Sequence, residues 1–277
     1  MEWISTSTAA NGVIGRIGHR PAHRLSRRLL NTLRSWFLGG VRKSQAVYFV
    51  DINGHRYKRV VFGDSRQAEG VEAALRTVPI RQAFPRLVER HENEIWVEFI
   101  SGRRPSLGNA ADLAQLAQFF GRLYAQESRS CPLAETPWHE QLHTDLWFLG
   151  NSGVLTERRA VEIAEHADVI RPRTVWQGFD YVDPVAKNFV IADGELRAID
   201  VESLQPGQLL ATGIAKCRVH APELDVERFI GEVIDAGAPD IRAQYAYTEL
   251  CFLAGWTKRK LLAGKRHYVQ AERFQGY

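Results

Sequence analysis

The sequence predicts an α+β protein of two unequal lobes, a small antiparallel β lobe carrying one helix followed by a larger helical lobe. Three observations lead there. Two β-rich runs within residues 45–62 are joined by Asn53-Gly54, residues 109–265 are mostly at helical spacing, and a short strand–turn–strand at 189–201 interrupts those helices. The chain has 277 residues, 45% of them apolar and 25% charged, with a net charge of +4. These values suit one large domain or two small lobes and exclude a disordered chain, a collagen or a coiled-coil rod. So small a net charge does not by itself imply nucleic acid, and no nucleic-acid partner is expected. No apolar run reaches the ~20 residues that cross a bilayer, and with Glu2 and its polar sequel no secretory signal is expected. Cys131, Cys217 and Cys251 are widely spaced and odd in number, so a reducing, cytoplasmic setting is expected, without disulfides or a cysteine zinc site.

The elements follow in chain order. Residues 1–35 form a basic arm. No acidic residue falls between Trp3 and Val50, whereas Arg16, Arg20, Arg24, Arg27, Arg28, Arg34, Arg42 and Lys43 do. Leu25, Leu29, Leu33, Trp36 and Phe37 recur at the spacing of one apolar helix face. Such a helix either caps the protein with a solvated basic face or rests on an anionic membrane; an Arg-rich, acid-poor start also fits a transit peptide. The small lobe is expected over 36–101. It opens with a glycine-bearing loop at 39–44 and continues as the 45–52 and 55–62 hairpin. A helix over 65–77 follows, capped by Asp64 or Ser65, and then strands at 86–90 and 94–100. Ser101-Gly102 ends the run. The large lobe, 102–277, is expected to carry helices at 109–128, 137–149, 157–170 and within 222–265, with short strands at 175–176, 189–192 and 196–201.

The chemistry concentrates where helices yield to that short hairpin. Asp183 and Asn188 flank a loop, the turn Asp193-Gly194 joins two strands, and Asp200 follows the second strand. A tight hairpin returns Asp200 beside Asn188, so that three oxygen-bearing side chains converge. Hard oxygen ligands of this kind suit Mg²⁺ together with a substrate's phosphates.

Asp-x4-Asn (YVDPVAKN), a hairpin and then Ile-Asp-x-Glu (AIDVES) resemble the catalytic and metal-binding loops of protein-kinase-like phosphotransferases, most closely the aminoglycoside/choline phosphotransferase branch. Lipopolysaccharide core kinases have a related fold. The resemblance covers roughly residues 36–215; its catalytic loop is the specific part, and the remainder is order and texture. It implies a bilobal kinase-like fold, ATP and Mg²⁺ as cofactors, and transfer of the γ-phosphate to a hydroxyl of a small molecule or sugar. By it, Asp183 is the catalytic residue at the acceptor hydroxyl, and Asn188 and Asp200 are the metal ligands. Lys58, or else Arg59, holds the phosphates, with Glu69 or Glu72 as its ion-pair partner. Gly40 and Ser44 belong to the phosphate-covering loop, and Glu98 and Ile100 to the strand that receives the adenine. Glu202 matches the branch's second acidic residue and is assigned no role.

The chain departs from the family in having Tyr181-Val182 where the branch has His-Gly, and its loop 39–44 is short of glycines. A nucleotide-binding pseudokinase or scaffold is the alternative these differences raise. The basic stretch 16–43 raises another, a kinase at the inner face of the membrane acting on a lipid-linked sugar; a protein acceptor is a third. A rival chemistry is spelled by His139-Glu140-Gln141-Leu142-His143, an HExxH pattern. On a helix its two imidazoles share a face, as in zinc hydrolases. The third ligand is sought among Glu162, Glu165 and His166, since no second HxxGxxH half follows.

Overall fold

The computed structural model describes residues 18–21 and 46–277. The amphipathic basic helix and the loop with Gly40 and Ser44 lie outside the described residues.

The β-rich half folds as a five-stranded antiparallel sheet in the order β1-β2-β3-β5-β4. These strands are Gly18–Pro21, Ala46–Ile52, His55–Val61, Leu87–His91 (β4) and Glu94–Glu98 (β5). The β2–β3 turn is tight because Asn53 and Gly54 both take positive φ, 50° and 80°, the pairing that matches strand twist. Helix α1, Ser65–Thr77, starts where the Asp64 carboxylate accepts the Gln67 N–H at 2.9 Å. Its buried residues Ala68, Val71, Ala74 and Leu75 are spaced to form one face, and the helix packs on β4 and β5. Val60, Ile95 and Val97 are fully buried beneath it.

The helical half begins with α2, Ala110–Tyr124, capped by the Asn109 side chain. Helix α2 crosses α6, Val226–Asp235, at Gly121, where a Cβ would lie 2.4 Å from that of Ala236. Helices α3 (Trp138–Asn151), α4 (Glu157–Ile170) and α7 (Arg242–Leu262) pack against one another. The expected hairpin is present as β8, Phe189–Ala192, and β9, Glu195–Ala198, turned by Asp193 and Gly194 at positive φ.

Three elements went unread in the sequence. Strands β6 (Arg129–Pro132) and β10 (Leu204–Leu209) flank β7 (Thr174–Tyr181) in a three-stranded sheet. β10 contains Pro206-Gly207, which reads as a turn, but the pair sits at an irregularity in register on an edge strand, where Pro is tolerated. Helix α5, Thr212–His220, lacks a side-chain cap, and its Gly213, Ile214, Ala215 and Cys217 are all buried, so it shows no amphipathic stripe. No helix among the described residues is long and apolar enough to cross a membrane.

Candidate functional site

Strand β7 delivers the chain into the candidate site and Tyr181 anchors its end. That side chain is fully buried, its ring packs against Phe84, Phe119 and Phe189, and its hydroxyl donates to the Asn188 carbonyl at 3.2 Å. Tyr181, where the sequence departs from the motif it resembles, is therefore a core anchor for the loop. One position earlier, Asp180 is also fully buried. It accepts from the Tyr124 hydroxyl at 2.8 Å, the Tyr181 N–H at 2.7 Å and the Gly213 N–H at 3.0 Å. Burial outweighs those donors and pushes its carboxyl up to about 6. Asp180 thus fastens the start of α5 beneath the loop.

Between Asp183 and Asn188 the backbone closes on itself, with the Val185 N–H on the Asp183 carbonyl at 2.9 Å and the Asn188 N–H on the Val185 carbonyl at 2.8 Å. Asn188 Nδ2 donates to the Asp183 carbonyl at 2.8 Å and to its carboxylate at 3.2 Å. The Lys216 ammonium, on α5, lies 2.5 Å from the other Asp183 oxygen. Burial opposes the charge on Asp183, but Lys216, Lys187 and Asn188 outweigh it and hold the carboxyl below its usual range.

The β8–β9 hairpin performs the expected return. Its register pairs Phe189 with Ala198, and the Ile199 N–H donates to the Asn188 carbonyl at 2.8 Å, so Asp200 leaves the hairpin beside Asn188. The Ser203 hydroxyl donates to one Asp200 oxygen at 3.0 Å. Lys58 reaches the other from β3 in the opposite lobe, its ammonium 3.7 Å from that oxygen and 2.8 Å from the Ile199 carbonyl. Lys58, Asp183, Asn188 and Asp200 therefore belong to one cluster built from both lobes.

The other candidates fall elsewhere. Lys58 pairs with neither Glu69 nor Glu72. Arg90 on β4 stands between them, 3.9 Å from Glu69 and in contact with Glu72, which Arg76 also engages at 2.9 Å. Arg59 points to the opposite face of β3, bound to Glu94 and stacked near Tyr48 and Trp96, which leaves the cluster to Lys58. Glu98 ends β5 with its N–H donated to the Arg86 carbonyl at 3.0 Å, and Ile100 follows, half-buried, in the passage between lobes. Next along, Arg103 exchanges two backbone hydrogen bonds with Ile191 of β8. Sequence reasoning missed Lys216, Ser203 and Asp180. Ser203 alone offered a signal, being three residues past Asp200 at the start of a turn.

The HExxH residues lie on a helix, α3, as expected, and His139 and His143 face one another. None of Glu162, Glu165 and His166 completes the set. Glu162 is held by Arg158 and Arg159, and the third group near the imidazoles is Asp168.

The donor set at Asp183, Asn188 and Asp200 fits a hard dication. It offers two carboxylates and an amide whose NH₂ is committed to Asp183, which leaves the amide oxygen for a cation.

No protein-family model matches the sequence, and no curated protein matches it. Solved structures do. The chain aligns over 97% of its length with 95% of macrolide 2'-phosphotransferase MphH from Brachybacterium faecium, at 13% identity and a TM-score of 0.64. Choline kinase LicA from Streptococcus pneumoniae gives a TM-score of 0.61 at 13% identity, over 91% of this chain and 99% of that one. ADP-bound aminoglycoside phosphotransferase APH(2'')-Ib gives 0.55 at 12% identity, over 98% of each chain. The fold is that of protein-kinase-like phosphotransferases.

Proposed function

We propose that this protein is a phosphotransferase that moves the γ-phosphate of Mg²⁺-bound ATP to a hydroxyl of a small molecule or sugar. The observation that carries the reading is the convergence of Lys58 from the small lobe with Asp183, Asn188 and Asp200 from the large one. Asp183 orients the acceptor hydroxyl and receives its proton, and Lys58 turns from Asp200 to the α- and β-phosphates. Asp200 and the Asn188 amide oxygen hold Mg²⁺, which when bound neutralises charge on the transferring phosphoryl group. As the resemblance implies, Glu98 and Ile100 border the adenine, and Gly40 and Ser44, outside the described residues, belong to the phosphate-covering loop. The names of the neighbours support a small-molecule acceptor, since they act on macrolides, choline or aminoglycosides, and one was solved with ADP. On this reading the basic residues within 16–43 bring the protein to the inner face of the membrane; equal sedimentation with and without anionic vesicles at low salt overturns that part.

Thermal unfolding with and without Mg²⁺·ATP tests the reading. Saturation at about 100 times the dissociation constant contributes about 2.7 kcal/mol, a rise of roughly 5–10 °C for a chain of this size. The rise is expected to need Mg²⁺ and to vanish in Asp200→Ala, while Asp183→Asn keeps it and loses turnover. No shift in wild type overturns the nucleotide site, and turnover retained in Asp183→Asn overturns the role of that residue.

A second reading has its own observation. On that reading, Lys216 on Asp183 and Tyr181 in place of the branch's His make the protein a nucleotide-binding pseudokinase. It is distinguished by a Mg²⁺-dependent shift with no ATP consumption against any polyol or amino-alcohol acceptor.

A further inference from the structure

Away from the interlobe cluster, His139 and His143 sit one turn apart on α3, their ring centroids 4.5 Å apart. Asp168, near the end of α4, presents Oδ1 at 3.2 Å from His139 Nε2 and 3.5 Å from His143 Nε2. All three ligand atoms lie within 4.8 Å of one another.

The hydrogen bonding fixes what those atoms offer. The Arg171 guanidinium lies 3.3 Å from His139 Nε2, and a guanidinium only donates, so that nitrogen carries a lone pair. The ring proton then belongs on Nδ1, 3.2 Å from the Tyr247 hydroxyl. His139 Nε2 and the Asp168 carboxylate are therefore two acceptors facing each other without a proton between them. His143 Nε2 is covered from solvent and makes no hydrogen bond, although Asp168 is beside it. The Arg171 guanidinium is the positive charge now beside His139 Nε2 and Asp168, and His143 Nε2 faces the same point without a hydrogen-bond partner.

The spacing suits a metal. Zinc bound at about 2.0–2.2 Å by nitrogen and oxygen in tetrahedral geometry separates its ligands by about 3.3–3.5 Å. The two imidazole–carboxylate distances, 3.2 and 3.5 Å, match those edges closely. An N₂O donor set of two imidazoles and a carboxylate is one that borderline dications accept and Mg²⁺ does not favour. The Tyr247 hydroxyl on α7 supplies the outer contact that orients a ligating imidazole.

We propose that His139, His143 and Asp168 form a transition-metal site, for Zn²⁺ or a similar dication, that clasps α3 to α4. The site is separate from the phosphotransfer cluster and independent of it. Arg171 occupies the opening when no metal is bound; its exposed position lets it swing into solvent when one enters.

The test uses the full chain, stripped with a chelator and titrated with Zn²⁺ against a chromophoric competitor, with Co²⁺ as a spectroscopic substitute. Wild type is expected to bind one equivalent, with Co²⁺ giving the visible bands of a four-coordinate N/O site, and to unfold at higher temperature with metal. Asp168→Ala, at a half-exposed side chain, keeps the fold. It and His143→Ala are expected to lose more affinity than the roughly 10–100-fold that follows loss of an outer-sphere partner. Tyr247→Phe is expected to lose about 10-fold, Arg171→Ala to bind as tightly or more tightly, and Asp200→Ala to bind unchanged. No equivalent in wild type overturns the site. Binding unchanged in Asp168→Ala and His143→Ala, or lost in Asp200→Ala, overturns its location.

Discussion

Two charged side chains at the candidate site are already neutralised by lysines that other elements bring in, and each pairing makes a prediction. Lys216 keeps Asp183 ionised against the burial that opposes it. If Asp183 acts as its carboxylate, the acid limb of kcat/KM lies below the usual carboxyl pKa of about 4. Removing the lysine in Lys216→Met is expected to move that limb upward, because burial then acts with less opposition. A pH–rate profile that does not move overturns the assignment of Asp183. Asp180 has the opposite sign. Its folded-state value, raised to about 6, means that the native chain holds a proton the unfolded chain has released between the ordinary value of 3.8 and that point. Its contribution to stability is therefore largest below 3.8 and is lost as pH rises through about 6. Asp180→Asn has no such proton, so its deficit relative to wild type is expected to grow by about 1 kcal/mol between pH 7 and pH 5, read by denaturant unfolding. At this scale the approach of Asp183, Asn188 and Asp200 to one another was legible, because their spacing around a turn is local. Lys216 and Asp180 were invisible in it because their roles depend on where α5 docks, which no short-range pattern encodes.

Elements with strong local rules were read closely. The β2–β3 hairpin follows from Asn53-Gly54, α1 from Asp64 and its apolar stripe, and the β8–β9 return from Asp193-Gly194. Elements without a local signal were not, and α5, with no side-chain cap and no apolar stripe, is the instructive case. Its first turn meets the site loop so closely that a Cβ at Gly213 would lie 2.3 Å from the Tyr181 carbonyl and 2.9 Å from the Asp180 carboxylate. Backbone cannot yield as a flexible side chain does. Gly213→Ala is expected to cost about 1–3 kcal/mol and to lower turnover by displacing Asp183. Unfolding midpoints and rates identical to wild type overturn this account of how the loop is held. The ion pair assigned to Glu69 failed for an element-level reason as well. β4 places Arg90 nearer to α1 than Lys58 is, and the helix carboxylates follow the nearer charge.

Across the whole molecule, the Lys58 ammonium crosses between the lobes to the Ile199 carbonyl and Asp200. Breaking that link by Lys58→Met is expected to speed amide hydrogen exchange over residues 199–204 in the unliganded protein and to raise KM for ATP. Exchange that stays at the wild-type rate overturns the link as a tie between lobes. The bilobal plan was readable at this scale because the texture changes from period two to helical spacing near residue 101. The HExxH pattern was readable too, but its third partner was not, since Asp168 joins it only through the packing of α4 on α3.

If the proposed function holds, the lysine on Asp200 carries one more implication, for the order in which ligands load. A bare dication arriving at Asp200 meets an ammonium on the carboxylate it needs, and a bare triphosphate meets a lysine already engaged elsewhere. Delivered together, each frees the partner the other requires. Metal and nucleotide then bind with positive thermodynamic coupling, each raising the affinity of the other by the same factor. Under that reading the unliganded site is charge-balanced and favours the pair over either member alone.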